Sequence, residues 1–187
     1  MRIISGSYRG SKILGPENKL TRPLKDLVKE SIFNILEHSN LSKKKIYKST
    51  VLDLFSGSGS FGLECISRGA LKVVFVENYP QVLTILKKNI EKFNCANKTK
   101  IITLNIYNQQ KSQELKKGFD FIFIDPPFND NHILELIINL KKNKIVNQNS
   151  ILVIHRHRNS FDEISKELRI LKESTYGKSK IIFACMC

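Results

Sequence analysis

The sequence comprises 187 residues, with 31 Lys and Arg against 17 Asp and Glu, which gives a formal net charge of +14. This length suits one domain with a sizeable core and a short appendage. The excess of positive charge favours a polyanionic partner, most simply a nucleic acid, although the abundance of Lys, Asn and Ile could also reflect a compositional bias.

The composition also disfavours membrane, secreted and zinc-binding proteins. No stretch reaches the roughly 20 apolar residues of a membrane span, and the first residues lack the apolar run of a secretion signal. The four cysteines form no C-x-x-C pair and no zinc-type spacing with histidine. We therefore expect reduced, mostly buried thiols, no metal site and a cytoplasmic protein.

The first 48 residues differ in pattern from the rest. A short strand-like piece, Arg2–Ile4, precedes a segment with two glycines and one arginine that reaches Lys12. A helix with one apolar side is predicted after Pro23, and Lys43–Lys45 should form an exposed connection. We expect residues 1–48 to form a small N-terminal extension, packed on a core of residues 49–187.

From Thr50 onwards, strand-like and helix-like patterns alternate. Strands are predicted at 51–55, 72–76, 99–104, 119–124 and 151–154, and helices from about 60, at 80–93, 131–142 and 161–168. Segments 170–174 and 179–185 flank Tyr176-Gly177 and predict a hairpin. This order predicts an α/β, Rossmann-like fold, with a mostly parallel sheet, helices on both faces and an antiparallel C-terminal hairpin strand.

A distinctive turn, Asp125-Pro126-Pro127-Phe128, follows the fourth strand. Proline fixes φ and lacks an N–H, so the turn is rigid and rich in carbonyl acceptors. Asp125 offers a carboxylate, the Pro126 carbonyl a second acceptor and Phe128 a flat face. Together they suit a planar ring with an exocyclic amino group, such as a nucleobase. We predict these four residues as the catalytic turn; a purely structural loop is the alternative.

Gly57, Gly59 and Gly62 match G-x-G-x-x-G between the first strand and its helix. Glycine lets the backbone turn tightly and approach a ligand, although the pattern alone is a weak signal and could serve only helix packing. Glu77 ends the next strand, where a carboxylate can accept both hydroxyls of a ribose. A nicotinamide dinucleotide and S-adenosylmethionine both meet this description.

Asp53, just before the glycines, favours the second of these ligands. Its carboxylate would repel a pyrophosphate but attract the ammonium and sulfonium of S-adenosylmethionine. Asn105 and Ile106, after the third strand, could contact the adenine, or Asn105 could bond its own backbone. The predicted cofactor-binding residues are Asp53, Phe55, Gly57, Gly59, Glu77, Asn78, Asn105 and Ile106.

Basic residues concentrate in the N-terminal segment, with Tyr8 among them, which suits phosphate contacts or a merely solvated surface. His155-Arg156-His157-Arg158 ends the fifth strand, with the histidines on one face and the arginines on the other. A metal site would need further ligands. The segment could instead contact a phosphate, or it could simply be the polar end of the strand. The predicted RNA-binding residues are Arg2, Arg9, Lys12, Arg22, Lys25, Arg156 and Arg158.

The glycine loop, Glu77 and Asp125–Phe128, in this order, resemble class I methyltransferases that act on exocyclic amino nitrogens of bases. Three N-terminal stretches narrow the resemblance to bacterial 16S ribosomal RNA guanine-N2 methyltransferases of the RsmD family. These are Arg2–Lys12, Arg22-Pro23 and Asp26–Asn34. The resemblance covers nearly the whole chain. Departures from the family pattern occur at Leu24, Leu27, Asn78 and Asn105.

The resemblance implies a class I methyltransferase fold, S-adenosylmethionine as cofactor and 16S ribosomal RNA in a small-subunit particle as substrate. It carries cofactor roles to Asp53, Gly57, Gly59 and Glu77, and the catalytic role to Asp125–Phe128. We expect a monomer. Two alternatives stay open from the residues themselves: an adenine-N6 methyltransferase of DNA or RNA, which would share the turn, and a non-catalytic RNA-binding assembly factor.

Overall fold

The computed structural model describes residues 1–16, 24–41, 43–108, 115 and 118–187. These residues form a seven-stranded sheet with the strand order β3-β2-β1-β4-β5-β7-β6. The strands are β1 Thr50–Leu54, β2 Lys72–Glu77, β3 Thr99–Thr103, β4 Phe121–Ile124, β5 Ile151–His157, β6 Leu168–Tyr176 and β7 Ser179–Met186.

The first five strands run parallel to one another, whereas β7 runs antiparallel to both β5 and β6. The predicted mostly parallel sheet with an antiparallel C-terminal hairpin is therefore confirmed. The strand order reverses at β1 and β4, so the carboxyl ends of these two strands border a crevice. In open parallel sheets, ligands bind at such a crevice.

Helices cover both faces of the sheet, as predicted. They are α1 Asp26–His38, α2 Ser60–Ser67, α3 Pro80–Lys92 and α4 Ile133–Lys142. One apolar core joins α1, α2 and α3 to residues such as Val73, Phe121 and Phe183. The other joins α4 to the opposite face, through residues such as Leu52 and Ile122. Because β1 and β4 are covered on both faces, nearly every residue in them is buried.

The predicted helix over 161–168 is wrong. Only Ile164–Lys166 form a single 3₁₀ turn, and Leu168 already begins β6. The physical reason is tertiary: the side chain of Asp162 is fixed by an ion pair with Arg156 of β5, with Nε–Oδ2 at 2.9 Å. This ion pair holds the start of the segment against β5. A regular helix over 161–168 would have to begin at that same position.

Candidate active site

The predicted catalytic turn lies where β4 ends, next to β1. The Asp125 backbone N–H donates to the Leu54 carbonyl at 3.5 Å, which extends the pairing of the two strands by one residue. Asp125, Pro126, Pro127 and Phe128 then all line one cleft of about 530 Å³. The sheet thus places the carboxylate, the two prolines and the aromatic ring at the mouth of the crevice.

A buried histidine orients Asp125. His155 Nδ1 lies 2.9 Å from Asp125 Oδ1, and His155 Nε2 lies 2.9 Å from Ser179 Oγ. An ionised carboxylate only accepts hydrogen bonds, so the Nδ1–H of His155 donates to Asp125, while Nε2 forms a hydrogen bond with the Ser179 hydroxyl. The imidazole ring is therefore fixed at both nitrogens, and through it the Asp125 side chain.

Arg156 is buried rather than displayed at the surface, and its role in RNA binding stays a prediction. The residue is 1% exposed and its guanidinium pairs with both carboxylate oxygens of Asp162. It also donates to the carbonyls of Pro127, at 3.4 Å, and Asp130, at 2.5 Å. Arg156 thus holds the catalytic turn from behind. Arg158, two residues on, is exposed.

The Phe128 ring packs against two histidines of β5. Its ring meets those of His155 and His157 edge-on, with centroid distances of 5.6 and 5.0 Å. The two histidines therefore share one face of the strand, as the alternation predicts, while Arg156 lies on the other. This packing fixes the aromatic ring while leaving it partly exposed.

The glycine loop turns sharply between β1 and α2. Gly57 and Gly59 have φ of 55° and 84°, in the left-handed region that glycine adopts without strain. An added Cβ on Gly59 would lie 2.6 Å from Leu86 Cδ1, so this glycine also allows close packing. Phe55 adopts φ 58° without being glycine, which is a strained conformation of the kind that clusters at functional sites.

Glu77 ties this loop to the end of β2. Its Oε2 accepts from the Gly57 N–H at 2.9 Å, and its Oε1 accepts from the N–H groups of Asn78 and Tyr79 at 2.8 and 3.0 Å. The carboxylate thus faces the loop from the neighbouring strand. Glu77, Asn78, Phe55 and Gly57 line the same cleft as the catalytic turn.

Asp53 lies at the floor of the cleft and is 1% exposed. Its Oδ2 accepts from the Gly62 N–H at 2.9 Å, which explains how the acid supports the start of α2. Burial raises the pKa of Asp53 well above its usual range, and the nearby charges of Asp125 and Glu77 raise it further. Three carboxylates therefore converge on one cleft, which suits a cationic ligand.

Asn105 and Ile106 lie in a smaller adjoining cleft of about 240 Å³, shared with Phe55, Glu77 and Asn78. Asn105 Oδ1 accepts from the Tyr107 N–H at 3.1 Å, which is the local backbone bond that the sequence left open. Ile106 is buried. The Tyr107 hydroxyl donates to Asp130 Oδ2 at 2.6 Å; burial, and then this bond, raise the pKa of Tyr107.

The N-terminal segment is docked on α2. The N–H groups of Ile4 and Ser5 donate to the two oxygens of Glu64 at 2.7 and 2.9 Å. The Ser7 N–H donates to the Ser67 carbonyl at 2.8 Å, and the Tyr8 N–H to Ser67 Oγ at 3.0 Å. Residues 1–16 are therefore joined to the helix that follows the glycine loop.

The predicted RNA-binding cations of this segment lie at the surface. Arg2, Arg9, Lys12 and Lys25 are exposed, while Arg22 lies outside the described residues. Arg2 Nε is 3.8 Å from Asp26 Oδ2. Tyr8 is not displayed between them, because its ring packs on Phe93 at a centroid distance of 5.1 Å.

Three site features escape sequence reasoning. Met1 and Leu24 line the cleft with the catalytic turn. Lys29, fully buried in α1, donates to Ser60 Oγ of the cleft wall at 3.1 Å, and burial lowers its pKa. His155 follows an apolar strand, and only its position opposite Asp125 in the sheet reveals its contact. For Lys29, the sequence gives only a weak indication of burial, namely that this lysine lies on the apolar side of a predicted helix.

Within the described ranges, no group of three or more His, Cys, Asp or Glu side chains could hold a metal ion. Cys65, Cys95 and Cys185 are buried and reduced, and Cys187 is exposed. None of the helices described above is long and apolar enough to serve as a membrane span.

Comparisons with known proteins agree with this geometry. The profile of the family described as conserved hypothetical protein 95 matches residues 1–185. Ribosomal RNA small subunit methyltransferase D of Haemophilus influenzae is 33% identical over 178 residues, which cover 95% of this chain and 89% of that protein. The protein of the same name from Buchnera aphidicola subsp. Baizongia pistaciae is 35% identical over 83% of this chain and 76% of its own.

Among solved structures, a candidate methyltransferase from Escherichia coli, yhhF, has a TM-score of 0.82 and 26% identity, covering 100% of this chain and 97% of its own. The matched profile spans the N-terminal segment, the glycine loop and the catalytic turn together. The chain therefore belongs to the family described as conserved hypothetical protein 95, the RsmD family of methyltransferases.

Proposed function

We propose that this protein transfers a methyl group from S-adenosylmethionine to the exocyclic 2-amino group of a guanine in 16S ribosomal RNA, acting as a monomer on a small-subunit particle. The observation that carries the proposal is a single cleft lined by both the Asp125–Phe128 turn and the loop of Asp53, Gly57 and Glu77. The names of the relatives support ribosomal RNA of the small subunit as the substrate class.

The cleft fits S-adenosylmethionine in charge and in hydrogen bonding. Its described lining contains Asp53, Glu77 and Asp125 but no Lys, Arg or His, so a cation is favoured over a pyrophosphate. The Ser56 hydroxyl is buried in this lining without a hydrogen-bond partner among the described residues. A ligand with polar groups could satisfy it.

The loop also leaves space for the cofactor. A Cβ added to Gly57 would meet nothing nearer than the Phe55 carbonyl at 4.0 Å, so the backbone faces open space. Asp53 and Glu77 would hold the charged and ribose groups, and Asn105 and Ile106 would border the adenine. When bound, S-adenosylmethionine supplies a methyl group activated by its sulfonium.

The catalytic turn prepares the acceptor nitrogen. The lone pair of the guanine amino group is delocalised into the ring, which makes the nitrogen a poor nucleophile. The Asp125 carboxylate and the Pro126 carbonyl accept hydrogen bonds from its two N–H groups. These contacts rotate and pyramidalise the nitrogen, so that its lone pair is no longer delocalised into the ring. As positive charge develops on the nitrogen, the Asp125 carboxylate stabilises it.

Two neighbours keep this turn in position. His155 holds Asp125 Oδ1 at 2.9 Å, and Arg156 holds the carbonyls of Pro127 and Asp130. Catalysis by positioning depends on such fixed geometry. The target base leaves its stack to enter the cleft, and the face of Phe128 replaces part of the lost stacking.

The N-terminal segment extends the acceptor site outwards. Its Met1 and Leu24 line the cleft, and its exposed cations include Arg9, Lys12 and Lys25. We assign these cations, with Arg158 beyond β5, to the RNA backbone around the target. Phosphate contacts of this kind position the RNA without reading its sequence.

The test is methyl transfer from radiolabelled S-adenosylmethionine to small-subunit particles isolated from cells without this activity, followed by nucleoside analysis. We expect label in N2-methylguanosine. Label in N6-methyladenosine would retain the turn chemistry and overturn the guanine assignment. Absence of both label and cofactor binding would favour a non-catalytic RNA-binding factor.

Asp125→Asn is the matched variant for this assay. The amide keeps the size of the side chain but removes the charge and one acceptor oxygen, so turnover should fall by about 10²–10³-fold. The dissociation constant for S-adenosylmethionine, measured by calorimetry, should rise far less than turnover falls, because Asp53 and Glu77 remain in the cleft. Near-normal turnover would contradict the role given to Asp125.

A further inference from the structure

A second cleft, of about 470 Å³, lies on the other side of Phe128 from the catalytic cleft. Phe128 is the residue that lines both. The second cleft runs from the end of the catalytic turn to the segment after β5. Its lining comprises Phe128, Asn129, Asn131, Arg156, His157, Asn159, Ser160, Phe161 and Asp162.

Phe161 is displayed at this cleft rather than packed. The residue is 92% exposed, compared with 68% for Leu27 and 65% for Tyr47, the next most exposed large hydrophobic residues described. A phenyl ring in water costs free energy unless something covers it. Its position beside the catalytic turn suggests that the covering group arrives with the substrate.

The segment that carries Phe161 is held on both sides. Before it, the Ser160 N–H donates to the His157 carbonyl at 2.9 Å, and Lys180 Nζ donates to the Ser160 carbonyl at 2.5 Å. After it, Asp162 is paired with the buried guanidinium of Arg156. The backbone is therefore fixed on either side of the ring, which reduces the entropy lost when a ligand stacks on it.

The chemistry of the cleft suits a nucleobase more than a phosphate. The positive charge of Arg156 is neutralised by Asp162 through two contacts, at 2.9 and 3.0 Å. The side-chain amides of Asn129, Asn131 and Asn159 can donate and accept, as the edge of a base requires. Aromatic rings with adjacent amides are the usual means of binding unstacked bases in RNA.

We propose that this second cleft binds the unpaired base next to the methylated nucleotide, with Phe161 stacked on that base. The proposal rests on the proposed function, because it assumes an RNA target base in the first cleft. When the target leaves its stack, the neighbouring base loses a stacking partner as well. Phe128 separates the two bases, and Phe161 covers the second.

The main test compares Phe161→Ala, Phe161→Leu and Phe161→Tyr in methyl transfer to small-subunit particles. A stacked base contributes about 1–3 kcal/mol, so Phe161→Ala should raise KM for the particle about tenfold. Phe161→Tyr should restore the KM, whereas Phe161→Leu, which is apolar but cannot stack, should not. The affinity for S-adenosylmethionine should stay unchanged in all three.

Tyr47→Ala is the matched control. Tyr47 is an aromatic residue of 65% exposure that precedes the amino end of β1, whereas the catalytic cleft lies at the carboxyl end of this strand. Its loss should leave KM for the particle unchanged. An equal effect of Phe161→Leu and Phe161→Tyr, or an unchanged KM in Phe161→Ala, would overturn the proposal.

A second measurement separates this proposal from the proposed function. A single-stranded RNA oligonucleotide containing 2-aminopurine reports stacking through fluorescence quenching, without methyl transfer. We expect quenching by the native protein and by Tyr47→Ala, and its loss in Phe161→Ala. If particles are not methylated but quenching depends on Phe161, the base site stands and the proposed methyl transfer to the particle fails. Quenching that survives Phe161→Ala would refute the base site.

Discussion

At the scale of single residues, the Asp125 carboxylate depends on a histidine behind it. His155 is buried, and its Nδ1 bonds Asp125 while its Nε2 bonds Ser179. The amide nitrogen of an asparagine can occupy nearly the position of Nδ1, whereas leucine offers no donor. Leucine at position 155 should therefore remove the hydrogen bond to Asp125, and asparagine should keep it, while both side chains stay buried.

We predict that His155→Leu lowers kcat about 10–100-fold, because the carboxylate loses its orienting donor. His155→Asn should retain most of the turnover. KM for the RNA particle and the affinity for S-adenosylmethionine should change little in either, which distinguishes positioning from general damage. Equal losses of kcat in both variants, in parallel with lowered Tm, would instead indicate a purely structural histidine.

Asp53 links cofactor binding to pH. Its pKa is raised by burial and by Asp125 and Glu77. An acid whose pKa is higher in the folded state binds more protons when folded, so the stability of the protein falls as pH rises from the ordinary carboxyl pKa towards the raised one. A bound cation favours the ionised acid, and so its affinity should increase with pH over the same interval.

We predict that Asp53→Asn raises Tm by about 2–4 °C at neutral pH, since the cost of burying an acid whose pKa is raised by folding is removed while the bond from Gly62 N–H is kept. The same variant should bind S-adenosylmethionine more weakly and with a flatter pH dependence. S-adenosylhomocysteine, which lacks the sulfonium charge, serves as the control ligand and should be affected less. A lowered Tm with unaltered cofactor affinity would contradict this role.

At the scale of elements, the N-terminal segment and α2 fit together at one glycine. Gly6 has φ 83°, and a Cβ there would overlap the backbone carbonyl of Ser67. Gly10 has φ 82°, but a Cβ there would meet nothing within 4 Å. The two glycines therefore share the same backbone conformation and differ in whether a helix lies against them.

We predict that Gly10→Ala costs about 1–2 kcal/mol of stability or less, the cost of the left-handed conformation alone. Gly6→Ala should release the segment from α2, because a backbone carbonyl cannot move aside. Limited trypsin digestion should then cleave after Arg9 faster in Gly6→Ala than in Gly10→Ala, and methylation of particles should fall. Equal cleavage rates would show that the segment is not held at Gly6.

The parallel strands are predictable from sequence because β1, β4 and β5 are buried on both faces and read as continuous apolar runs. The carboxyl ends of β1, β2 and β4 then bring Asp53, Glu77 and Asp125 together. The segment after β5 is not predictable in this way. Its helix-like pattern is overridden by the pair between Arg156 and Asp162, and a local pattern carries no information about that contact.

The same limit applies to the site. Strand alternation correctly puts His155 and His157 on one face and Arg156 on the other. It does not show which of the two faces is covered by other segments of the protein. Arg156 reads as a surface cation in the sequence and is buried in the fold. Lys29 is similar, since its partners Glu64 and Ser60 lie in a different helix.

At the scale of the whole molecule, charge is divided between cleft and surface. The net charge is +14, yet the described cleft lining carries three carboxylates and no basic side chain. The surrounding cations would attract a polyanion, while the carboxylates inside favour a cation. This division of charge is what the proposed function requires, because RNA and a sulfonium compound must reach adjoining sites.

We predict that the double substitution Arg9→Glu and Lys12→Glu weakens RNA binding and lowers the slope of log K against log salt by about 1.5–2, because two phosphate contacts are lost. Lys72→Glu with Lys144→Glu imposes the same change of net charge at two exposed lysines, one at the start of β2 and the other after α4. Filter binding over a salt series would compare them. Equal slopes in the two double variants would remove the N-terminal segment from the RNA-binding surface.

The docking of residues 1–16 on α2 also constrains how such a protein can diverge. Glu64 and Ser67 hold the segment, while Ser60 of the same short helix lines the cleft. A substitution that shifts α2 should therefore disturb both the N-terminal segment and the glycine loop. The two regions are coupled through this helix, and a segment transplanted from a relative should work only when the matching residues of α2 are transferred with it.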